Sequence, residues 1–360
     1  MIRGRKVLRT AASAVLIAAT FGFAIPHLAS YGSVWAAVEA MTWVSVLLLA
    51  VAAASNMVTG WIAIRAVLPS VRLRESAAVH LASTAVANTL PAGGALAMGV
   101  SWAMLSSWGI SSADFALYTV VSGIWNVFAR LSLPAVAVVV LLTARRPEAG
   151  LIVAAAAGLA VLAAAACGLG FLVRSEALTC RADRGMQAAA AVFCRLVRRP
   201  VPSRVPGALL SFRDQAAALL SARGWLITAA TAASQLTSWL ALLACLRGSG
   251  LSQAQVPWQT SLAAFAFVRL LTVLPLTPGG LGITELGLVG ILTSGTGHRD
   301  TVPVIAAVLV YRALTYLLPI PLGAAAALAW RHAPALAWRQ VPALAPASPV
   351  SGDRPGPGGN

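Results

Sequence analysis

Apolar runs long enough to cross a membrane recur along this chain and restrict it to folds that a lipid bilayer can hold. The hydrocarbon core of a bilayer is about 30 Å thick, so a spanning helix needs roughly 20 apolar residues. Inside hydrocarbon each backbone N–H and C=O must find a partner within the protein, which favours helices. The pattern predicts an all-α, polytopic membrane helical bundle with six full spans, at about residues 11–28, 34–67, 115–142, 150–173, 225–246 and 302–330.

The composition excludes a soluble catalytic domain. Of 360 residues, 59% are hydrophobic and 10% are charged, whereas a soluble domain has about a quarter of its residues charged. The net charge of +16 comes almost entirely from arginine, since Lys6 is the only lysine. These arginines lie between apolar runs, as in cytoplasmic loops that face anionic lipid. We therefore expect a multi-pass protein of the cell (plasma) membrane that contacts membrane lipids and binds no nucleic acid.

Charge and proline divide the chain into five segments. The largest polar segment, 174–223, holds nine arginines, which marks a cytoplasmic loop. A second interpretation of this loop is recruitment of a soluble or membrane partner. Both termini are then cytoplasmic. The segments are a basic N-terminus (1–10), a first membrane half (11–173), the basic loop (174–223), a second membrane half (224–330) and a Pro/Gly-rich disordered tail (331–360).

Two Pro-Gly breaks interrupt apolar segments at corresponding places in the two halves. The first, Pro91-Ala92-Gly93-Gly94, separates two runs that are each too short to cross alone, and the second lies at Pro278-Gly279-Gly280. Non-helical backbone at membrane depth is tolerated only where it is buried in protein or lines a wet cavity. A duplicated interruption of this kind is the best sequence pointer to a transporter-type binding site.

The segments after each break also correspond. Each break is followed by a short apolar helix, a polar turn and a long span in which an arginine precedes a proline. Arg130 precedes Pro134 in the first half, and Arg312 precedes Pro319 in the second. This correspondence predicts an internal repeat.

Two membrane topologies fit the breaks. If both interrupted segments are re-entrant, six spans remain, and the hairpins enter from opposite sides as an inverted repeat. If both cross, the chain has eight spans and the termini stay on the same side. The sequence alone leaves both arrangements open.

The second break resembles a known membrane family. Pro278-Gly279-Gly280-Leu281-Gly282-Ile283-Thr284-Glu285, followed by Arg312 in a proline-containing last span, is similar to the lysylphosphatidylglycerol synthase transmembrane region. The likeness covers about residues 10–330. It implies a flippase-like membrane domain that lacks the soluble aminoacyltransferase domain of bifunctional relatives. It also implies translocation of a phospholipid or a polyisoprenoid-linked lipid.

The first break departs from the family pattern. Many relatives are expected to carry an acid and a nearby arginine there, but residues 91–99 of this chain have no charge. Whatever that charge does in relatives is not carried over to the first break.

Glu285 and Arg312 are the leading candidates for a substrate-binding site. Glu285 is placed in the first turn of a helix, where an acid is favourable to the helix dipole. Ionisable groups inside membranes are costly and usually functional, so Glu285 can also bind a cation, a proton or an amine headgroup. Arg312 can pair with Glu285 or bind a lipid phosphate with two hydrogen bonds.

Further candidates surround the same break. Backbone N–H groups of Gly279, Gly280 and Gly282 can hold a phosphate at a helix N-terminus, or these glycines can simply permit a tight turn. Arg130 is a weaker candidate. Asn126 is included with it, although its amide is expected to satisfy a neighbouring group.

Arg269 is a candidate of the same kind as Arg130. A simpler interpretation is that it extends to the membrane boundary.

No motif indicates a cofactor, a metal site or an enzyme. The four cysteines have no zinc-like spacing, and no nucleotide-binding loop is present. The sequence therefore predicts a lipid flippase or transporter without catalytic residues. The alternatives are a membrane-embedded enzyme and an accessory subunit of a lipid or glycolipid pathway.

Overall fold

The structure is a computed structural model that describes residues 41–90, 93–143, 208–273, 278–294 and 301–332, together with Ala36 and Glu39. The predicted spans at 11–28 and 150–173 lie outside these residues. In the first half the helices are α1 (Trp43–Val67), α2 (Leu73–Thr89), α3 (Gly93–Ser107) and α4 (Ser112–Thr143). In the second half they are α5 (Ala208–Gly248), α6 (Trp258–Leu271), a 3-10 turn (Pro278–Gly280), α7 (Ile283–Thr293), α8 (Thr301–Arg312), a π turn (Ala313–Leu317) and α9 (Pro319–His332).

Four helical segments of the described residues are long and apolar enough to cross a membrane. They are Trp43–Val67, Ser112–Thr143, Ser211–Gly248 and Thr301–His332. The helices around the two breaks are shorter: α7 has 11 residues, which at about 1.5 Å per residue gives roughly 17 Å. The prediction of an all-α, multi-pass membrane bundle is confirmed.

The C-terminal part of the predicted loop 174–223 is helical. Helix α5 already begins at Ala208, just after the prolines of this segment. From there Phe212, Ala216 and Leu219 recur at helical spacing and pack in a cluster with Val67 of α1 and Ile227 of α5. The count of arginines indicated a loop, but this apolar stripe makes the segment helical. Residues 174–207 lie outside the described residues.

The first two residues of the predicted tail are helical. Arg331 and His332 are the last residues of α9, so the described chain is helical to that point. Residues 333–360 lie outside the described residues.

Both predicted breaks interrupt a helix and form a hairpin. The first hairpin, α2 and α3, is interrupted between Thr89 and Gly93. A Cβ atom at Gly93 would overlap the carbonyl group of Ala87, so the tight return of the chain requires glycine there. The second hairpin, α6 and α7, is interrupted between Leu271 and Ile283, with the 3-10 turn between them.

The two halves pack on each other reciprocally. Helix α1 packs against α5, its counterpart. The first hairpin contacts the last described helix of the second half (α2 with α9), and the second hairpin contacts the last described helix of the first half (α6 with α4). The helix contacts of the two halves therefore repeat in the same way as the two breaks in the sequence.

Helices α1 and α5 run antiparallel. Val67, at the end of α1, lies in one cluster with Ile227, near the middle of α5. At the other end, the Cβ atom of Ser45 would lie 3.4 Å from a Cβ atom built on Gly248, the last residue of α5. The loop that leads into the first hairpin and the loop that leads into the second hairpin are therefore at opposite ends of the bundle.

The first hairpin starts and ends on the same side of the bundle. Leu105, near the end of α3, packs in one cluster with Leu68 and Val71, which connect α1 to α2. The indole N–H of Trp330 in α9 also donates to Ser107 Oγ at this end, at 3.0 Å. The start of α2 and the end of α3 therefore lie at the same end of the bundle.

The close approach of α9 to α2 gives a prediction about stability. A Cβ atom at Gly323 would overlap the carbonyl oxygen of Leu81 and lie 2.6 Å from Ala85 Cβ. We expect Gly323→Ala to destabilise the protein by about 1–3 kcal/mol, as overpacking does, and to lower the unfolding midpoint in detergent. The matched control is Gly123→Ala in α4, where no atom lies within 4 Å. Equal midpoints for the two variants would contradict the close helix contact.

Candidate functional site

The second break is built on glycines in left-handed backbone conformations. Gly279, Gly280 and Gly282 have φ of 57°, 69° and 82°, which other residues adopt only with strain. Gly282 is the N-cap of α7, and its N–H donates to Glu285 Oε2 at 2.7 Å. Glu285 thus satisfies a free donor at the helix start, as expected for an acid in the first turn.

Glu285 also forms a buried ion pair with Arg312. The distance from Arg312 Nε to Glu285 Oε1 is 2.6 Å, and the two side chains are 12% and 1% exposed. Arg312 Nη2 donates to the carbonyl of Gly279 at 3.0 Å, and its guanidinium lies 4.7 Å from the centre of the Tyr316 ring. One arginine therefore ties the second break and α7 to the end of α8.

The end of the first hairpin helix touches the second break. Asn88 Nδ2 donates to the carbonyl of Tyr316 at 3.1 Å, and the Tyr316 hydroxyl donates to the carbonyl of Asn88. A Cβ atom at Gly279 would overlap the Tyr316 ring and lie 3.1 Å from Asn88 Oδ1. Since Asn88 belongs to the first half and the other two residues to the second, the halves meet here.

A reciprocal contact joins the halves at the end of α6. Arg130 Nη1, in α4 of the first half, donates to the carbonyl of Thr272 at the end of α6, at 3.2 Å. Thr272 comes directly after the last residue of α6, and Asn88 is likewise near the end of α2. In both halves, a side chain of the long span therefore binds a carbonyl at the interrupted helix of the opposite half.

Arg269 completes the charged groups around the breaks. Its Nη2 donates to Ser238 Oγ at 2.5 Å, and Ser238 Oγ lies 3.1 Å from the Tyr311 hydroxyl. Its guanidinium lies 5.0 Å from the centre of the Phe265 ring. These contacts hold the Arg269 side chain against α5 and within α6.

The structure brings most of the predicted site residues together. Glu285, Arg312, Gly279 and Gly282 are in direct contact, and the Gly282 N–H that was predicted to be available to a phosphate is bonded to the Glu285 carboxylate. A Cβ atom at Gly280 would lie 2.9 Å from Thr284 Oγ1, so this glycine is needed for packing.

Asn126 differs from the other candidates. It is exposed, and its amide donates to the carbonyl of Ser122 at 3.2 Å, within its own helix. It lies one turn before Arg130, on the same face of α4.

Several residues of the site were not predicted. Tyr316 could have been found, because it lies four residues after Arg312 and therefore on the same helix face. Asn88 stands three residues before the first break, but nothing in its spacing indicates that it pairs with Tyr316. Ser238 has no distinguishing signal, since a serine in an apolar span is common.

Among the residues that the structure describes, no three His, Cys, Asp or Glu side chains come together as a metal site would require. The charged groups instead surround two interrupted helices. The fold and site define a multi-pass helical membrane protein with an interrupted hairpin in each half. The chain belongs to the lysylphosphatidylglycerol synthase TM region family, whose model matches residues 7–323. No curated protein matches the chain.

The buried ion pair gives a prediction for a double-mutant cycle. Removing one partner of a buried pair leaves an uncompensated charge, which costs about 3–5 kcal/mol. We expect Glu285→Gln and Arg312→Gln each to lower the unfolding midpoint strongly, and the double variant to recover part of the loss. The cycle is measured by thermal unfolding in detergent.

The matched control for this cycle is Asp114→Asn. Asp114 is also a first-turn acid, but it is exposed and bonds to the Ser111 hydroxyl at 2.7 Å. We expect this change to cost about 1 kcal/mol or less. Additive effects of the two single variants would show that the pair is not coupled.

Proposed function

We propose that this protein moves a lipid-type substrate, a phospholipid or a polyisoprenoid-linked lipid, across the membrane without changing its covalent structure. The observation that carries this proposal is the meeting of two interrupted helices from opposite halves, with charged side chains at the contact. Interrupted helices that meet at a repeat interface are where membrane transporters hold their substrates.

The packing of α1 and α5 supports an inverted repeat with re-entrant hairpins. With six spans and two re-entrant hairpins, the connectivity makes α1 and α5 cross the membrane in opposite directions. With eight spans, both helices would cross in the same direction. The antiparallel contact of Val67 with Ile227 and of Ser45 with Gly248 favours the re-entrant arrangement.

The reciprocal contacts support alternating access. Tyr316 binds the Asn88 carbonyl across the halves, and Arg130 binds the Thr272 carbonyl in the same way. Each contact can open while its counterpart remains closed, so the halves can rock about a site between them. This is the movement that inverted repeats allow in transporters.

Family membership supports a lipid as the substrate. The family is named for a synthase of an aminoacylated phospholipid, and a membrane domain of such an enzyme lies where lipid products are made. The arginine-rich ends of the spans are consistent with a cell-membrane protein whose termini face the cytoplasm, according to the positive-inside rule.

A reconstituted translocation assay tests this proposal. The full chain is placed in liposomes with a fluorescent phospholipid, and a membrane-impermeant reductant reports the fraction of headgroups that have crossed. We expect the wild type to raise the crossing rate over empty liposomes. Glu285→Gln should lower the rate about tenfold, which corresponds to about 1.4 kcal/mol in the barrier, because it removes the charge that pairs with Arg312.

Two controls separate transport from folding. Asp114→Asn should retain the wild-type rate, because this acid lies outside the meeting point. Tyr316→Phe keeps the ion pair and removes only the hydroxyl that binds Asn88, so it should change the rate without loss of folded protein. A folded wild type that moves no lipid would contradict the proposal and favour an accessory subunit or a membrane-embedded enzyme.

A further inference from the structure

Two arginines from opposite halves lie near the C-terminal end of α6. Arg130 belongs to α4 of the first half, and Arg269 belongs to α6 of the second half. Arg130 Nη1 donates to the carbonyl of Thr272 at 3.2 Å, and the Thr272 hydroxyl donates to the carbonyl of Arg269, one turn earlier in the chain, at 2.9 Å. Like charges repel in a medium of low dielectric constant, so an anion bound near both arginines would be stabilising.

In the ion pairs of the described residues, neither Arg130 nor Arg269 is paired with an acid. Glu285 is bound to Arg312, and the exposed Asp214 is bound to Arg213. Arg130 and Arg269 are in contact with neutral oxygens instead, the Thr272 carbonyl and the Ser238 hydroxyl. Neutral oxygens accept hydrogen bonds but do not balance two positive charges.

An N–H donor of these two arginines also lacks a hydrogen-bond partner. A guanidinium has five N–H donors, and Arg130 Nε is buried without a hydrogen-bond partner in the structure. By contrast, Arg312 uses its Nε and Nη2 on Glu285 and Gly279 and packs on the Tyr316 ring. Arg312 is thus occupied by the protein, and Arg130 has a buried donor to offer.

We infer that Arg130 and Arg269 form a binding site for a phosphate group that bridges the two halves. Guanidinium groups bind phosphate oxygens through paired, charge-assisted hydrogen bonds. An oxyanion between the arginines would cancel their repulsion and give the buried Nε a partner. The inference rests on the proposed function, and it identifies the transported lipid as one that carries a phosphate.

The position of the pair is suited to a lipid phosphate. Arg130 lies on a membrane-spanning helix, and Asn126, one turn earlier on the same face, is exposed. A headgroup can therefore reach the arginines from this side of α4 while its acyl chains remain beside the helix. Because one arginine lies on each half, a bound phosphate would hold the halves together in this arrangement.

A binding experiment on the full chain in neutral detergent tests the site without measuring transport. The unfolding midpoint is followed while dioleoylphosphatidylglycerol is added, with dioleoylglycerol, which lacks the phosphate, as the lipid control. A ligand that binds the folded state raises the midpoint with its concentration. We expect phosphatidylglycerol to raise the wild-type midpoint at concentrations where dioleoylglycerol has no effect.

The variants locate the effect. Arg130→Gln and Arg269→Gln should each weaken phosphatidylglycerol binding about tenfold or more, the loss expected for a charge-assisted hydrogen bond. Arg331→Gln, which removes an exposed arginine at the end of α9, should bind like the wild type. Arg130→Lys retains the charge but loses the planar fork, so it should bind with intermediate affinity.

Each result has a defined meaning. A rise that is the same with dioleoylglycerol, or the same in Arg130→Gln and Arg269→Gln as in the wild type, would overturn the phosphate site. A parallel titration with inorganic phosphate distinguishes the source: a shift of similar size would assign the site to the oxyanion itself, and a shift only with phosphatidylglycerol would assign it to a lipid headgroup.

The outcome is independent of transport. Binding through the two arginines without lipid translocation would keep this site and contradict the proposed function. Lipid translocation with rates and binding unchanged in Arg130→Gln and Arg269→Gln would keep the proposed function and contradict this site.

Discussion

A carbonyl or N–H group left unpaired inside hydrocarbon costs several kcal/mol, and a helix interrupted there exposes several of them. The two hairpins meet this constraint by using side chains of distant segments. Tyr316 binds the Asn88 carbonyl and Arg130 binds the Thr272 carbonyl, each from the opposite half. Within the second half, Glu285 and Arg312 satisfy Gly282 and Gly279. Pairing the broken ends is therefore also what joins the halves.

This arrangement separates the roles of the charged residues. The Glu285–Arg312 pair is closed, with both groups bonded to each other and to the backbone of the second break. It fixes the conformation of the glycine run and leaves little for a ligand to bind. The pair Arg130 and Arg269 is open, because its charges are alike and one of its N–H donors is buried without a partner. Substrate contact is therefore expected at the arginines that the sequence ranked lower.

The limits of sequence reasoning follow from the range of each interaction. Hydropathy and the Pro-Gly motifs are local, so the four described spans and the interruptions near Gly93 and Gly279 could be predicted. The helix from Ala208 was missed because its arginines outweighed its apolar stripe. The contacts of Asn88 with Tyr316 and of Arg269 with Ser238 join residues far apart in the chain. Only the three-dimensional packing of the halves brings such residues together, and no local pattern encodes it.

The central claim is that the two halves cross the membrane in opposite orientations, so that their hairpins enter from opposite sides. Ser70, before the first hairpin, and Ala254, before the second, are both exposed and suit single-cysteine labelling in a background without the four native cysteines. Intact cells are treated with a membrane-impermeant maleimide before and after permeabilisation. The account predicts that Ala254→Cys reacts in intact cells and that Ser70→Cys reacts only after permeabilisation. Labelling of both from the same side would contradict it.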